Sequence, residues 1–108
     1  MARSRYHFTE PDSPHFLTCT VVEWLPVFTR REAVQILLDS WRHQQRNNGL
    51  RLYGFVILEN RLHVVAQAEN LPVVWSRFKS FTAVRLIELL KLHGADALLR
   101  RMHFARKA

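Results

Sequence analysis

The fold is decided by the stretch Glu59-Asn60-Arg61-Leu62-His63-Val64-Val65, in which a polar break runs directly into a short apolar strand. Residues 50–58, just before it, are apolar as well, so the break predicts the tight connection of a β-hairpin. Side chains two residues apart in a strand point to the same face. We therefore expect Arg61 and His63 to stand side by side on the second strand of this hairpin.

The remaining elements follow from residue propensity and helical spacing. We predict a strand over 16–24, a helix from the capping-box pair Thr29 and Glu32 to 48–49, strands over 50–58 and 62–68, a helix from 70–72 to 93–94, and a last short helix from Asp96. The strand over 50–58 is apolar on both faces, which predicts a central position in the sheet.

This order, strand–helix–strand–strand–helix, begins a ferredoxin-like α+β sandwich, an antiparallel sheet with helices on one face. The closing strand of that βαββαβ fold is not evident. Residues 98–99 and 102–104 are the only candidates, and their spacing favours a helix.

Composition limits the class of protein. The 108 residues suit one domain, and 48% hydrophobic against 23% charged residues is typical of a globular chain. Sixteen Lys and Arg against nine Asp and Glu leave a net charge of +7, which favours a polyanionic partner. The single Cys19 excludes an intramolecular disulfide. Since no apolar run predicts a membrane span or a signal peptide, we expect a cytoplasmic protein.

Several segments share an order that is typical of one enzyme family. They are the strand 16–24 followed by Pro26-Val27-Phe28, the strand 52–58, the motif 59–65, and the sequence Lys79-Ser80-Phe81-Thr82-Ala83. Together they resemble REP-associated tyrosine transposases, single-strand DNA transposases with a His-hydrophobic-His (HUH) motif. The resemblance implies a transposase-like ferredoxin-fold domain over 15–108, preceded by an irregular basic arm over 1–14.

The resemblance also implies a metal site at the motif. In the family, two histidines spaced as in His-x-His hold a divalent metal that polarises a DNA phosphate. Here Arg61 stands in the place of the first histidine, and His63 alone remains as a ligand. Because a guanidinium has no acceptor atom, we expect Mg²⁺ or Mn²⁺ to bind weakly or not at all.

The nucleophile of the family is a tyrosine on a helix after the motif. The two tyrosines of this chain, Tyr6 and Tyr53, both precede it. We therefore expect the C-terminal tyrosine-helix region to be absent, either by truncation of a longer gene product or by natural shortening. No residue is assigned a catalytic role, and the enzyme activity of the family, DNA strand cleavage and transfer, is not expected here.

Basic side chains are the candidate nucleic-acid contacts. They are Arg3 and Arg5 in the arm, Arg61 in the motif, and Arg77, Lys79 and Arg85 on the second long helix. Arg61 has two interpretations: a substitution without function, or a clamp that grips phosphate oxygens in place of the metal.

The predicted function is a transposase-like domain that binds hairpin or single-stranded DNA, related to DNA transposition but without strand cleavage, and compatible with a homodimer. Two alternatives stay open. One is a domesticated, non-catalytic DNA-binding repressor that keeps the fold and the basic charge. The other is an RNA-binding module, in which aromatic residues of the sheet stack on bases; residues 53–56 match only part of the RNP1 pattern.

Overall fold

Four strands and three α-helices make up the part of the chain that the computed structural model describes, residues 2–4 and 13–107 with the side chains of 13–103. They are β1 (Ala2–Ser4), β2 (His15–Val21), α1 (Arg31–Asn47), β3 (Arg51–Ile57), β4 (Arg61–Gln67), α2 (Leu71–Leu92) and α3 (Asp96–Lys107). Two 3-10 turns, Val22–Trp24 and Val27–Thr29, lead from β2 to α1. The α+β class and the order of the long elements agree with the sequence prediction.

The strands form one antiparallel sheet in the order β1-β2-β4-β3. The predicted hairpin is confirmed, since β3 and β4 pair from Ile57↔Leu62 onward across a tight connection. The central position predicted for β3 is wrong. It is an edge strand: among the described strands only β4 pairs with it, and its residues Tyr53, Phe55 and Val56 are exposed.

The opposite edge of the sheet is occupied by β1. Ala2 pairs with Val21 and Ser4 with Cys19, so these three residues are a strand and the predicted irregular arm is corrected there. The free edge of β2 explains the difference, because its backbone donors and acceptors need partners that even a short polar strand can supply. Residues 98–99 and 102–104 lie in α3, as predicted.

The core lies between the sheet and the helices. One sheet face, here called the covered face, consists of the buried alternate residues of the two central strands: Leu17, Cys19 and Val21 of β2, and Leu62, Val64 and Ala66 of β4. Ring stacking continues the core into the helices, with Trp75 and Trp41 at 4.7 Å and 5.3 Å from Phe78 between ring centroids. The alternation along β2 and β4 therefore fixes which face the helices cover.

The predicted ends of α2 agree with the structure, whereas the predicted N-terminal cap of α1 does not. α2 carries Pro72 in its first turn and stops before Gly94, whose φ of 65° suits glycine. The predicted capping box of α1 is wrong: the hydroxyl of Thr29 donates to the carbonyl of Pro26 at 3.1 Å, and no side chain caps the helix. The preceding 3-10 turn directs Thr29 away from the first amides of the helix.

Candidate nucleic-acid interface

The motif lies on the other face of the sheet, here called the open face. Residues paired across antiparallel strands share a face, and the pairs Thr20↔Arg61, Thr18↔His63, Phe16↔Val65 and Val56↔His63 define this one. Its side chains are Phe16, Thr18, Thr20, Arg51, Val56, Arg61, His63, Val65 and Gln67. Phe16, Val56 and Val65 are not members of the core cluster. Among residues with described side chains, the strand positions of the open face carry two arginines, Arg51 and Arg61, and no carboxylate.

His63 is held in place by two neighbours on β2. The hydroxyl of Thr18 lies 2.9 Å from Nδ1 of His63, and the imidazole stacks on Phe16 with ring centroids 5.5 Å apart and planes 19° from parallel. Phe16 itself is 64% exposed. The result is a stacked pair of rings in which Phe16 is exposed and Nδ1 of the imidazole contacts the hydroxyl of Thr18.

Arg61 stands beside His63 on β4 as predicted, but its side chain turns toward the end of the sheet. Its guanidinium carbon lies 5.5 Å from the ring centroid of Trp24, within the range of a cation–π contact, and its Nη1 donates to Oδ1 of Asn60 at 3.2 Å. Arg61 forms no ion pair with any side chain in 13–103. No described carboxylate therefore neutralises its charge.

The turn that presents Trp24 was not foreseen from the sequence. The strand predicted over 16–24 ends at Val21, and Glu23 and Trp24 adopt left-handed backbone angles, with φ of 55° and 57°. Non-glycine residues pay about 1–2 kcal/mol each for this conformation. The run of β-branched and aromatic residues gives no sign of it, because the same run is typical of a continuing strand.

The donor set at the motif does not fit a divalent metal. Around His63 lie a hydroxyl, two valines, a phenylalanine and an arginine, and Mg²⁺ and Mn²⁺ need several oxygen or imidazole ligands. Within residues 2–4 and 13–107 no three His, Cys, Asp or Glu side chains are close enough to share an ion.

The one tyrosine among the described residues, Tyr53, lies on a strand before the motif and not on a helix after it. Tyr53 lies on β3, where its hydroxyl donates to Oε1 of Gln67 at 2.9 Å. Tyr6 lies outside the described residues. Tyr53 therefore contributes an exposed ring beside the open face.

The candidate contacts with described side chains are not brought together into one surface. Arg77, Lys79 and Arg85 are on α2, in the layer that packs on the covered face. There Arg77 donates to Asn48 at 3.4 Å, and Arg85 lies 5.4 Å from the ring centroid of Phe81. Among the arm candidates, Arg3 lies in β1 but its side chain is outside the described part, as is all of Arg5. Arg61 is thus the one predicted contact placed on the open face by a described side chain.

Comparisons with protein-family models, with curated proteins and with solved structures find no match to this chain. The resemblance to HUH transposases therefore rests on the motifs quoted above. None of the described helices is long and apolar enough to cross a membrane.

Proposed function

We propose that this protein is a transposase-like domain that binds hairpin or single-stranded DNA on the open face and does not cleave it. The observation that carries the proposal is the exposed stack of Phe16 on His63, with Arg61 next to it on the same strand face. Single-strand binding combines aromatic rings that stack on bases with cationic side chains that contact phosphates.

The energetics favour an extended, unpaired strand over a duplex. Base–aromatic stacking contributes roughly 1–3 kcal/mol per base, which needs unpaired bases with an accessible face. Thr20 pairs with Arg61 on the open face, and its hydroxyl is suited to sugar and phosphate oxygens. The net charge of +7 adds attraction that does not depend on sequence.

The absence of cleavage is proposed on chemical grounds. In-line attack on a phosphate requires a positioned nucleophile, and the hydroxyl of Tyr53 is on a strand and bonded to Gln67. In the position where a family member has a metal-binding histidine, Arg61 would grip phosphate oxygens directly. Such a clamp keeps affinity for DNA while removing the Lewis acid.

We further propose that the domain is ferredoxin-like with an exchanged edge strand. The elements β2, α1, β3, β4 and α2 follow the βαββα order, and β2 and β4 are the central strands. In that fold the closing strand lies next to the first strand, which is the position that β1 takes beside β2. This supports the proposed relationship.

A second candidate is single-stranded RNA binding. The observation that favours it is the position of Phe16 and Tyr53, both exposed and both at an uncovered sheet surface, as in modules that stack RNA bases on a sheet. Single-stranded RNA would bind to the same open face. The ligands differ in the sugar, so a direct comparison can separate them.

Fluorescence anisotropy with a labelled DNA hairpin that carries a single-stranded tail tests the proposal. We expect binding that weakens steeply between about 50 and 200 mM salt, because each neutralised phosphate releases counterions. The fully paired duplex and an RNA of the same sequence serve as competitors. Weak binding that is equal at both salt concentrations would remove nucleic acid as the ligand, and preference for the RNA would select the second candidate.

A further inference from the structure

The geometry points to a separate site for one unpaired base at the end of the open face, built by Trp24, Arg61 and Asn60. In it the base stacks on the indole of Trp24 and the neighbouring phosphate contacts Arg61. The inference deepens the proposed function and rests on it, because it names where an unpaired nucleotide is held.

Trp24 differs from the other tryptophans in its surroundings. It is 59% exposed, whereas Trp41 and Trp75 are buried in the core at 2% and 0%. An indole is among the largest apolar groups a protein can bury, and leaving it in water on a small domain needs a reason. Its partner here is a cation 5.5 Å from the ring centroid, so the ring is oriented as well as exposed.

The backbone prevents this ring from retreating into the core. Glu23 and Trp24 are two successive residues with left-handed backbone angles. Val21 and Leu25, which flank the turn formed by residues 22–24, are both buried. The carboxylate of Glu23 pairs with Arg101 of α3 at 3.5 Å, which ties the turn to the helix layer. Strain of this kind in bulky residues is typical of functional sites, where the surrounding structure enforces it.

Asn60 connects the ring and the cation. Its Nδ2 donates to the carbonyl of Trp24 at 3.3 Å, and its Oδ1 accepts from Nη1 of Arg61 at 3.2 Å. One amide therefore fixes both the turn that carries the indole and the guanidinium that lies over it. Asn60, in the connection between β3 and β4, thereby positions Trp24 in the turn that follows β2.

The indole of Trp24 and the guanidinium of Arg61 together favour an unpaired nucleotide as the ligand. The indole offers a flat, apolar surface for a base, and the guanidinium has further N–H donors beyond the one given to Asn60. A free base would use only the ring and an inorganic phosphate only the cation. An unpaired nucleotide within a strand uses both, and it continues onto the open face, where Phe16 and His63 are next in line.

Intrinsic tryptophan fluorescence tests this site directly, because Trp24 is the exposed indole and the other two are buried. The probes are an eight-nucleotide oligothymidine and an oligonucleotide of equal length and charge with abasic residues, both at low salt. We expect the thymine strand to quench the emission and the abasic strand to bind more weakly without quenching. This comparison uses the unmodified chain and needs no variant to fold.

Trp24→Gly removes the ring and suits the left-handed backbone, so the fold should be retained. We expect its affinity for oligothymidine to fall roughly tenfold, within the range of one stacked base, and quenching to disappear. Leu92→Ala, which removes an exposed apolar side chain at the end of α2, is the matched control and should change neither.

The outcomes separate this inference from the proposed function. Oligothymidine that binds Trp24→Gly as tightly as the unmodified chain, or binds the unmodified chain without quenching, would overturn the base site and leave open-face binding in place. Failure of every oligonucleotide to bind the unmodified chain at low salt would overturn both.

Discussion

The two faces of the sheet use alternate residues of the same strands for different purposes. On β4, Leu62, Val64 and Ala66 are buried against the helices, while Arg61 and His63 on the other face contact an exposed indole and an exposed phenyl ring. The covered face is held by many apolar contacts among buried side chains. The open face depends on a few specific ones, so mutations should affect stability on one face and binding on the other.

The largest difference is expected between two neighbouring valines of β4. Val64→Ala on the covered face should lower the free energy of unfolding by about 2–3 kcal/mol, since it leaves a cavity among buried side chains. Val65→Ala, on the open face, should cost less than about 1 kcal/mol, mainly through β-propensity. Urea denaturation of both variants measures the two values. Equal losses would mean that both faces are covered.

The next prediction is a substitution that lowers the affinity for DNA and leaves the stability of the fold unchanged. Phe16→Ala should weaken the affinity for single-stranded DNA by roughly tenfold, since one stacking partner is lost, while the urea midpoint stays nearly unchanged because the ring is exposed. Anisotropy and denaturation on the same preparations provide both numbers. A variant that loses stability and keeps its affinity would assign Phe16 to the core instead.

A smaller change is expected from Arg61→His, which places a second imidazole on the same face as His63. Calorimetric titration should show stronger Mn²⁺ binding than in the unmodified chain, where one imidazole stands alone. Adding His63→Ala to this variant should abolish the gain. Tight Mn²⁺ binding by the unmodified chain that is insensitive to His63→Ala would place the metal elsewhere.

We expect no covalent bond to form between the protein and DNA. Arg61→His incubated with Mn²⁺ and a labelled hairpin should yield no covalent protein–DNA band on a denaturing gel, because a metal does not replace a positioned nucleophile. A band that disappears in Tyr53→Phe would show that the open face can cleave DNA after all, and it would name the attacking residue.

Structural features determined by nearby residues could be predicted from the sequence, whereas features determined by distant contacts could not. The alternation along β2 and β4, Pro72 and Gly94 are local patterns with local causes, and each gives the right element. The edge position of β3 depends on which strands pair with it. The residue types in 50–58 do not determine that pairing.

The candidate site shows the same limit. The shared face of Arg61 and His63 follows from the strand period alone. The turn at Glu23 and Trp24 makes contacts far along the chain: the carbonyl of Trp24 accepts from Asn60, 36 positions later, and Glu23 pairs with Arg101, 78 positions later. Such distant partners override the strand propensity of the local run, and the predicted capping box at Thr29 fails for a related reason, since the turn before it redirects the hydroxyl.

The strand β1 has a consequence for how the chain folds. Its pairing joins residues only 15 to 19 positions apart, from Ser4↔Cys19 to Ala2↔Val21. A closing strand at 98–99 would have to reach Thr20 across a segment about four times longer, which adds roughly 1.2 kcal/mol of loop-closure entropy at about 0.6 kcal/mol per doubling. Local pairing also lowers the contact order, and folding rates rise as contact order falls. The edge of β2 can therefore be protected early, before β4 pairs along its other side.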